Sequence, residues 1–309
     1  MLDLSVIIPV YNEADNIRLL YDRLTGVLEG MGVTYELLFV NDGSHDNSIH
    51  LIKALPSEHV RYIDFSRNFG HQIAVTAGLD RTVGEAVVII DADLQDPPEL
   101  IADMYRKMQT EGYEVVYARR KRREGETPLK RWTAKAFYRL LQRISNVEIP
   151  LDTGDFRIMH RRIVEVLRDM PEQSKFLRGQ ISWVGFRQTY VEYERDKRHA
   201  GETGYTYRKM LRFALDGITA FSDFPLKVVT MLGFAVFAIA VLLMLYAILS
   251  RFVFNSYVQG WTSLMLVVLF LGSIQMIAVG IIGEYLSRIN HNTRSRPLYI
   301  VREERVGEG

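Results

Sequence analysis

EAVVIIDADLQDPPEL, Glu85 to Leu100, is the stretch that decides the fold. Its apolar run is continuous rather than alternating and rich in β-branched residues. It ends abruptly in Asp91-Ala92-Asp93, and a helical stretch opens after Pro-Pro-Glu. A strand that is apolar on both faces belongs to a parallel sheet covered on both sides by helices. Working outward, the same kind of run recurs in LSVIIPV (Leu4–Val10), YELLFVN (Tyr35–Asn41), VRYIDFS (Val60–Ser66) and YEVVYA (Tyr113–Ala118). Helical stretches separate them, as in ADNIRLLYDRLTGVLEG, where Ile17, Leu20, Leu24, Val27 and Leu28 recur at helical spacing. Ligands of such sheets collect at the carboxyl ends of the strands. Here those ends read PVYNE, NDGSHD, SRNFGH and DADLQD, so polar chemistry gathers along one edge.

The acidic end is the sharpest of these signals. In extended chain, Asp91, Asp93 and Gln95 point to one face. Two carboxylates and an amide oxygen are hard ligands suited to Mg²⁺ or Mn²⁺, ions that complete their shell with substrate phosphates. The plain alternative is a strand that ends in capping aspartates, with Asp96 capping the helix that follows. No G-x-G-x-x-G follows the first strand and no G-x-x-x-x-G-K-S/T occurs, which disfavours a dinucleotide dehydrogenase and a P-loop ATPase. Asp42 has the chemistry to accept hydrogen bonds from a nucleobase and Tyr11 to pack on its ring, although Asn-Asp-Gly-Ser is a turn in most proteins.

Composition narrows the field further. The 309 residues carry 38 Lys+Arg against 37 Asp+Glu and no cysteine. Near-zero net charge argues against a nucleic-acid binder, and the lack of cysteine excludes disulfides, thiolate metal sites and cysteine nucleophiles. The charges are unevenly spread. Residues 228–250 contain none, and neither do residues 252–283. A bilayer core needs roughly 20 apolar helical residues, so 228–250 and 261–283 are read as a membrane hairpin, residues 228–283, with Phe252, Phe254, Tyr257 and Trp261 in an interfacial belt. Arg208, Lys209, Arg212 and Lys227 precede it, Arg288, Arg294, Arg296 and Arg302 follow it, and the loop holds only Arg251. Both flanks and both termini are therefore expected in the cytoplasm, in a multi-pass protein of the inner (plasma) membrane. Residues 205–227, with an apolar stripe at Met210, Leu211, Ala214, Leu215 and Ile218, read as an interfacial amphipathic helix. The N-terminal residues have no basic region or cleavage site of the signal-peptide kind. The oligomeric state is not readable from the sequence, although Gly272, Ser273 and Gly280 are small residues of the kind through which helical hairpins associate into a homo-oligomer.

IIPVYNE, VNDGSHD, SRNFGHQIA, DADLQDPPE and DTGDFRIMHR, in this order and spacing, resemble the family-2 glycosyltransferases of the polyprenyl-phosphate type, and the hairpin followed by IGEYLSRI is similar to the bacterial GtrB-type glucosyltransferases. The resemblance covers essentially the whole chain. It implies an α/β fold of the GT-A type, Rossmann-like with a mostly parallel sheet, in residues 1–204, followed by the interfacial helix, the hairpin and a cytoplasmic tail, 284–309. It also implies a UDP-sugar donor, a divalent cation and a polyprenyl phosphate acceptor such as undecaprenyl phosphate.

Carried over by position, Pro9, Tyr11, Glu13 and Asp42 match the nucleoside site. Asp91, Ala92, Asp93 and Gln95 match the diphosphate and metal site. Arg119 matches an arginine that meets phosphate near the reaction centre, and Arg198 the arginine of a motif whose following Ser-Lys is here Thr203-Gly204. The basic run Arg119–Arg123, with Lys130 and Arg131, suits either anionic headgroups or the acceptor phosphate. Asp155 is the carboxylate placed to assist the acceptor, to order Arg157 or to touch the sugar. The resemblance implies inverting transfer of a hexose, glucose before mannose from GDP-mannose or aminoarabinose. A processive polysaccharide synthase is disfavoured because no Q-x-x-R-W occurs. A non-catalytic membrane partner is disfavoured by the intact Asp91, Asp93 and Gln95 set.

Overall fold

The computed structural model describes residues 2–56, 58–121, 153–173, 175–194, 224–252, 260–294 and 296–305. Eight strands form one sheet: β1 (Leu4–Val10), β2 (Tyr35–Asn41), β3 (Val60–Phe65), β4 (Ala86–Ile89), β5 (Val115–Arg120), β6 (Thr153–His160), β7 (Gln188–Tyr193) and β8 (Val301–Arg305). Their order is β7-β5-β6-β4-β1-β2-β3-β8. The β4-β1-β2-β3 half is parallel, as the continuous apolar runs require. Strands β6 and β8 run against their neighbours.

Every residue of β1 and β2 is buried, because helices cover both faces. On one face Leu4, Val6, Ile8 and Val10 pack with Ile17, Leu20, Leu24 and Leu28 of α1 (Ala14–Met31) and with Ile101, Met104 and Met108 of α4 (Leu100–Glu111). On the other, Ile7, Val40 and Phe65 meet Ala74, Val75 and Ala77 of α3 (His71–Arg81). Ile163, Val164 and Leu167 of α5 (Arg161–Arg168) and Leu177 and Ile181 of α6 (Leu177–Trp183) complete that layer. A short α2 (Ser48–Lys53) lies between β2 and β3. Helix α3 lies so close that a Cβ on Gly78 would stand 2.4 Å from Ile7 Cγ2.

Two long helices follow, α7 (Phe224–Phe252) and α8 (Trp261–Thr293). At 1.5 Å per residue they are about 44 and 50 Å long. Met231, Leu232, Phe234, Ile239 and Leu242 of α7 and Val268, Phe270, Met276 and Ile277 of α8 are exposed. Phe270–Ser287 is long and apolar enough to cross a membrane, and none of it is buried in protein. Long helices whose apolar side chains lie uncovered by protein suit the membrane hairpin expected from the sequence.

Three sequence expectations change. Residues 224–227 belong to α7 and not to a separate interfacial helix; the rest of that element, 205–223, lies outside the described residues. The second helix runs ten residues past Gly283 before it ends. The C-terminal segment is not merely a tail, since residues 301–305 return to the sheet as its edge strand.

Candidate active site

The carboxyl ends of β1, β2, β3 and β4 meet at one edge, and the antiparallel course of β6 brings its first residues there too. Ile89 of β4 pairs with Arg157 of β6, and just beyond that last pair Asp91 and Asp155 both approach His71. Asp155 is the hub. Its Oδ1 accepts from Arg178 Nε at 2.9 Å and from Arg157 Nη2 at 3.3 Å, and its Oδ2 lies 3.1 Å from His71 Nε2. Arg157, 1% exposed, also donates to the carbonyls of Gly154 and Asp155. His71 is the first residue of α3, and its Nε2 stands 3.7 Å from Asp91 Oδ1.

The electrostatics divide the two facing carboxylates. Burial favours the neutral acid at both. At Asp155, however, Arg178, His71 and Arg157 outweigh it and hold the carboxyl well below the usual carboxylate range. At Asp91 burial pushes the pKa up to about 6; His71 pulls the other way, and the nearby Asp155, Asp96 and Asp93 add to the rise. Burial disfavours the His71 imidazolium, yet Asp91 and Asp155 raise its pKa to about 9.

The acidic turn is built differently from its reading as extended chain. Strand β4 ends at Ile89, and the chain turns through Ala92 and Asp93 with Leu94 at φ +59°. The alternation argument for Asp91, Asp93 and Gln95 therefore fails, because they lie on a turn rather than on a strand face. Leu94 is held there by burial in the core, and strain of this kind accumulates at functional sites. Asp93 is 8% exposed, and its Oδ1 accepts from the Gln95 N–H at 3.2 Å. Asp96 caps no helix; Tyr193 of β7 donates its hydroxyl to it, and α4 begins only at Leu100.

The turn fits a divalent cation. Asp91 Oδ1 is buried and accepts no hydrogen bond, and three like-charged carboxylates crowd around it. Among the described residues no group of three or more His, Asp or Glu side chains is placed to hold a metal ion by itself.

Beside the turn, the β1–α1 and β2–α2 loops are stitched together. The Asn12 N–H donates to Ser44 Oγ at 3.0 Å, and Asn12 Oδ1 accepts from the His45 N–H at 2.8 Å. The N–H groups of Glu13 and Ala14, at the start of α1, donate to Ser48 and Asp46. This leaves the Tyr11 ring exposed at the rim, edge-on to His45. Pro9 lies buried two residues beyond the last β1–β4 pair, and Glu13 accepts from Asn16.

Asp42, expected as a nucleobase acceptor, also accepts hydrogen bonds from within the protein. It is 3% exposed and accepts from the N–H groups of Phe69 (2.6 Å) and Gly70 (2.9 Å) and from Asn68 Nδ2 (3.0 Å). The carboxylate thus clamps the β3–α3 loop that delivers His71. Gly43 permits that approach: φ is +65°, and a Cβ there would lie 2.3 Å from the Arg67 carbonyl carbon.

Arg119 does not join the cluster. Its guanidinium pairs with Glu192 and stacks 3.6 Å from the Tyr190 ring centroid. Lys130, Arg131 and Arg198 lie outside the described residues. Sequence reasoning assigned no role to His71 and overlooked Arg178. His71 stood in SRNFGH, at one of the strand ends already singled out, whereas nothing in KFLRGQ marks Arg178.

A family model described as glycosyl transferase family 2 matches residues 5–168, and one described as the GtrB C-terminal hairpin matches residues 224–289. The chain is 49% identical to the uncharacterized glycosyltransferase YkcC of Bacillus subtilis (strain 168), over 97% of this chain and 93% of that one. It is 40% identical to the bactoprenol glucosyl transferase of Shigella phage SfX, over 98% and 99%. Among solved structures, mannosyl-3-phosphoglycerate synthase from Rubrobacter xylanophilus is similar at a TM-score of 0.49 and 19% identity, covering 71% of this chain and 72% of that one. With the acidic turn at the edge of its sheet and the apolar hairpin that follows, this chain belongs to the family-2 glycosyltransferases, in the group that carries the GtrB C-terminal hairpin.

Proposed function

We propose that the enzyme transfers a hexose, glucose foremost, from a UDP-sugar to polyprenyl phosphate at the cytoplasmic face of the inner membrane. The observation that carries this reading is the union in one chain of an acidic turn, whose buried Asp91 Oδ1 accepts no hydrogen bond, and helices whose apolar side chains face outward. The turn suits a cation-bound diphosphate, and the helices hold it where a lipid acceptor lies. The relatives named bactoprenol glucosyl transferases support both the lipid and the sugar.

In the reaction, an oxygen of the acceptor phosphate attacks the anomeric carbon. The bond from that carbon to the donor diphosphate breaks, and its electron pair leaves with the nucleoside diphosphate. A single displacement inverts the centre and gives a β-linked product from an α-linked donor. Held by Asp91 and Asp93 with the Gln95 amide, a Mg²⁺ or Mn²⁺ ion would supply neutralisation of the charge on the leaving diphosphate. The acceptor phosphate has a second pKa of about 6, so near pH 7 it is mostly dianionic and needs no base. Asp155, bonded to two arginines and a histidine, is a weak base in any case. Its work is to hold His71 and Arg178 as positive groups beside the reacting phosphates. Tyr11 offers its exposed ring to the base.

The test offers radiolabelled UDP-glucose, UDP-galactose, GDP-mannose and UDP-aminoarabinose to membranes that contain the enzyme and undecaprenyl phosphate. Label is expected in the lipid fraction from UDP-glucose. A preference for another donor overturns the sugar assignment. Cation-dependent UDP binding with no lipid product from any donor would mean a non-catalytic membrane partner instead.

A further inference from the structure

The C-terminal strand does more than cover an edge. Strand β8 pairs with β3 through Tyr62–Arg305, Ile63–Glu304, Asp64–Glu303 and Phe65–Val301. Lys53 and Tyr62 bind Glu303, Arg81 binds Glu304, and Tyr299 donates to Asp80. These contacts fasten the chain that leaves α8 onto the catalytic domain.

Two lines of contact then run inward from this strap. The first is polar. Arg302 Nη1 lies 3.4 Å from Asp64 Oδ2, and its Nη2 donates to the Ser66 carbonyl at 2.9 Å. Asp64 Oδ1 accepts from Asn41 Nδ2 at 2.7 Å, Asn41 Oδ1 accepts from Ser44 Oγ, and Ser44 Oγ accepts from the Asn12 N–H. Asp64 is 2% and Asn41 1% exposed, so Arg302 neutralises a buried carboxylate. A buried charge that loses its partner is costly, and its neighbours rearrange. The second line is aromatic. Tyr299 stacks on Phe65 (ring centroids 5.1 Å apart), and Phe65 meets Phe69 edge-on at 5.6 Å. The Phe69 N–H donates to Asp42. Both lines end on the two loops that frame Tyr11 and His71.

We infer that the segment after the second membrane helix is a positioning element of the sugar-nucleotide site. Arg302, acting through Asp64, Asn41 and Ser44, sets the loop that carries Tyr11. Tyr299, acting through Phe65 and Phe69, sets the loop that carries Asp42's partners and His71. The inference rests on the donor site proposed above. It adds that the site is fully shaped only when the chain returning from the membrane docks on β3.

The experiment uses the full-length enzyme in lipid nanodiscs and compares wild type with Arg302→Ala, Arg302→Lys, Asp64→Asn and the Arg302→Ala/Asp64→Asn pair. Calorimetry reads UDP binding with Mn²⁺, and steady-state kinetics read donor KM, acceptor KM and kcat separately. Arg302→Ala is expected to weaken UDP and raise donor KM about tenfold while acceptor KM stays within twofold. Arg302→Lys should recover most of that loss. With Asp64 already neutral, removing Arg302 should cost less than it does in the wild type. A donor KM unchanged in Arg302→Ala overturns the inference. So does a loss of donor and acceptor binding in proportion to unfolded protein, read by thermal melting. If Arg302→Ala fails to fold, Arg302→Lys and Asp64→Asn decide alone, and wild-type donor KM in both overturns it. Failure of the donor-site reading itself would look different, because the wild type would then bind no UDP.

Discussion

Asp155 shows how a single residue's duty follows from its neighbours. A carboxylate at the edge of a transferase sheet invites the role of base, but one bonded to Arg178, Arg157 and His71 is an anchor. Removing it strands the buried Arg157 guanidinium. Asp155→Ala is therefore expected to lose about 3–5 kcal/mol of stability, measured by denaturant unfolding in detergent, and Asp155→Asn less, since the amide oxygen still accepts. Wild-type stability in Asp155→Ala, with only catalysis lost, would return Asp155 to the role of base. Asp93 predicts the opposite pattern. Asn there still accepts from the Gln95 N–H and so preserves the turn, but it removes a charge offered to the cation. Asp93→Asn should fall below a tenth of wild-type transfer, a loss above about 1.4 kcal/mol, with an unchanged melting temperature. Asp91 and Asp93 were legible in sequence because they end an apolar run. Arg178 was not, because its partner Asp155 lies 23 residues away and only the fold brings them together.

At the scale of elements, legibility tracked burial. Strands β1 and β2 lie where their apolar runs put them, because a strand buried on both faces carries its own signal. Strand β4 is shorter than its run: Ile90, just past its last paired residue, stays buried with its N–H still donating to the Ile7 carbonyl. Strand β6 read only as a DTGDFR segment, since Arg157 and Asp155 break its apolar pattern and are satisfied by partners rather than by solvent. Strand β8, VREER, gave no signal at all. Its charges belong to Lys53, Asp64 and Arg81, more than 200 residues away in sequence. Charged side chains are also what an edge strand needs to resist further pairing. Helix α3 supplies a packing prediction. Gly78→Ala would drive a methyl group to 2.4 Å from Ile7 Cγ2 in the core. Overpacking of this kind costs about 1–3 kcal/mol, so thermal unfolding should shift downward. Because α3 also carries His71, transfer should weaken with it. A Gly78→Ala enzyme as stable as wild type would mean that α3 is free to lift off β1.

For the whole molecule, one topological fact constrains the membrane arrangement. Strands β1 to β7 precede the two long helices, β8 follows them, and all eight share one sheet. A chain that leaves a soluble domain and returns to it must cross a bilayer an even number of times. One crossing helix with its neighbour lying on the surface is incompatible with that sheet, whereas a hairpin of α7 and α8 satisfies it. The lysine and arginine excess on both flanks, against Arg251 alone in the connection, supports the proposal that the shared side is cytoplasmic. The absence of native cysteine makes the test direct. A single cysteine in place of Asn255, between the helices, is expected to react with an impermeant maleimide applied from outside the inner membrane. A cysteine in place of Glu303, within β8, should react only after the membrane is opened. Labelling of both from the same side would break the hairpin. Labelling of Glu303→Cys alone from outside would invert the whole enzyme and separate its donor site from cytoplasmic sugar nucleotides.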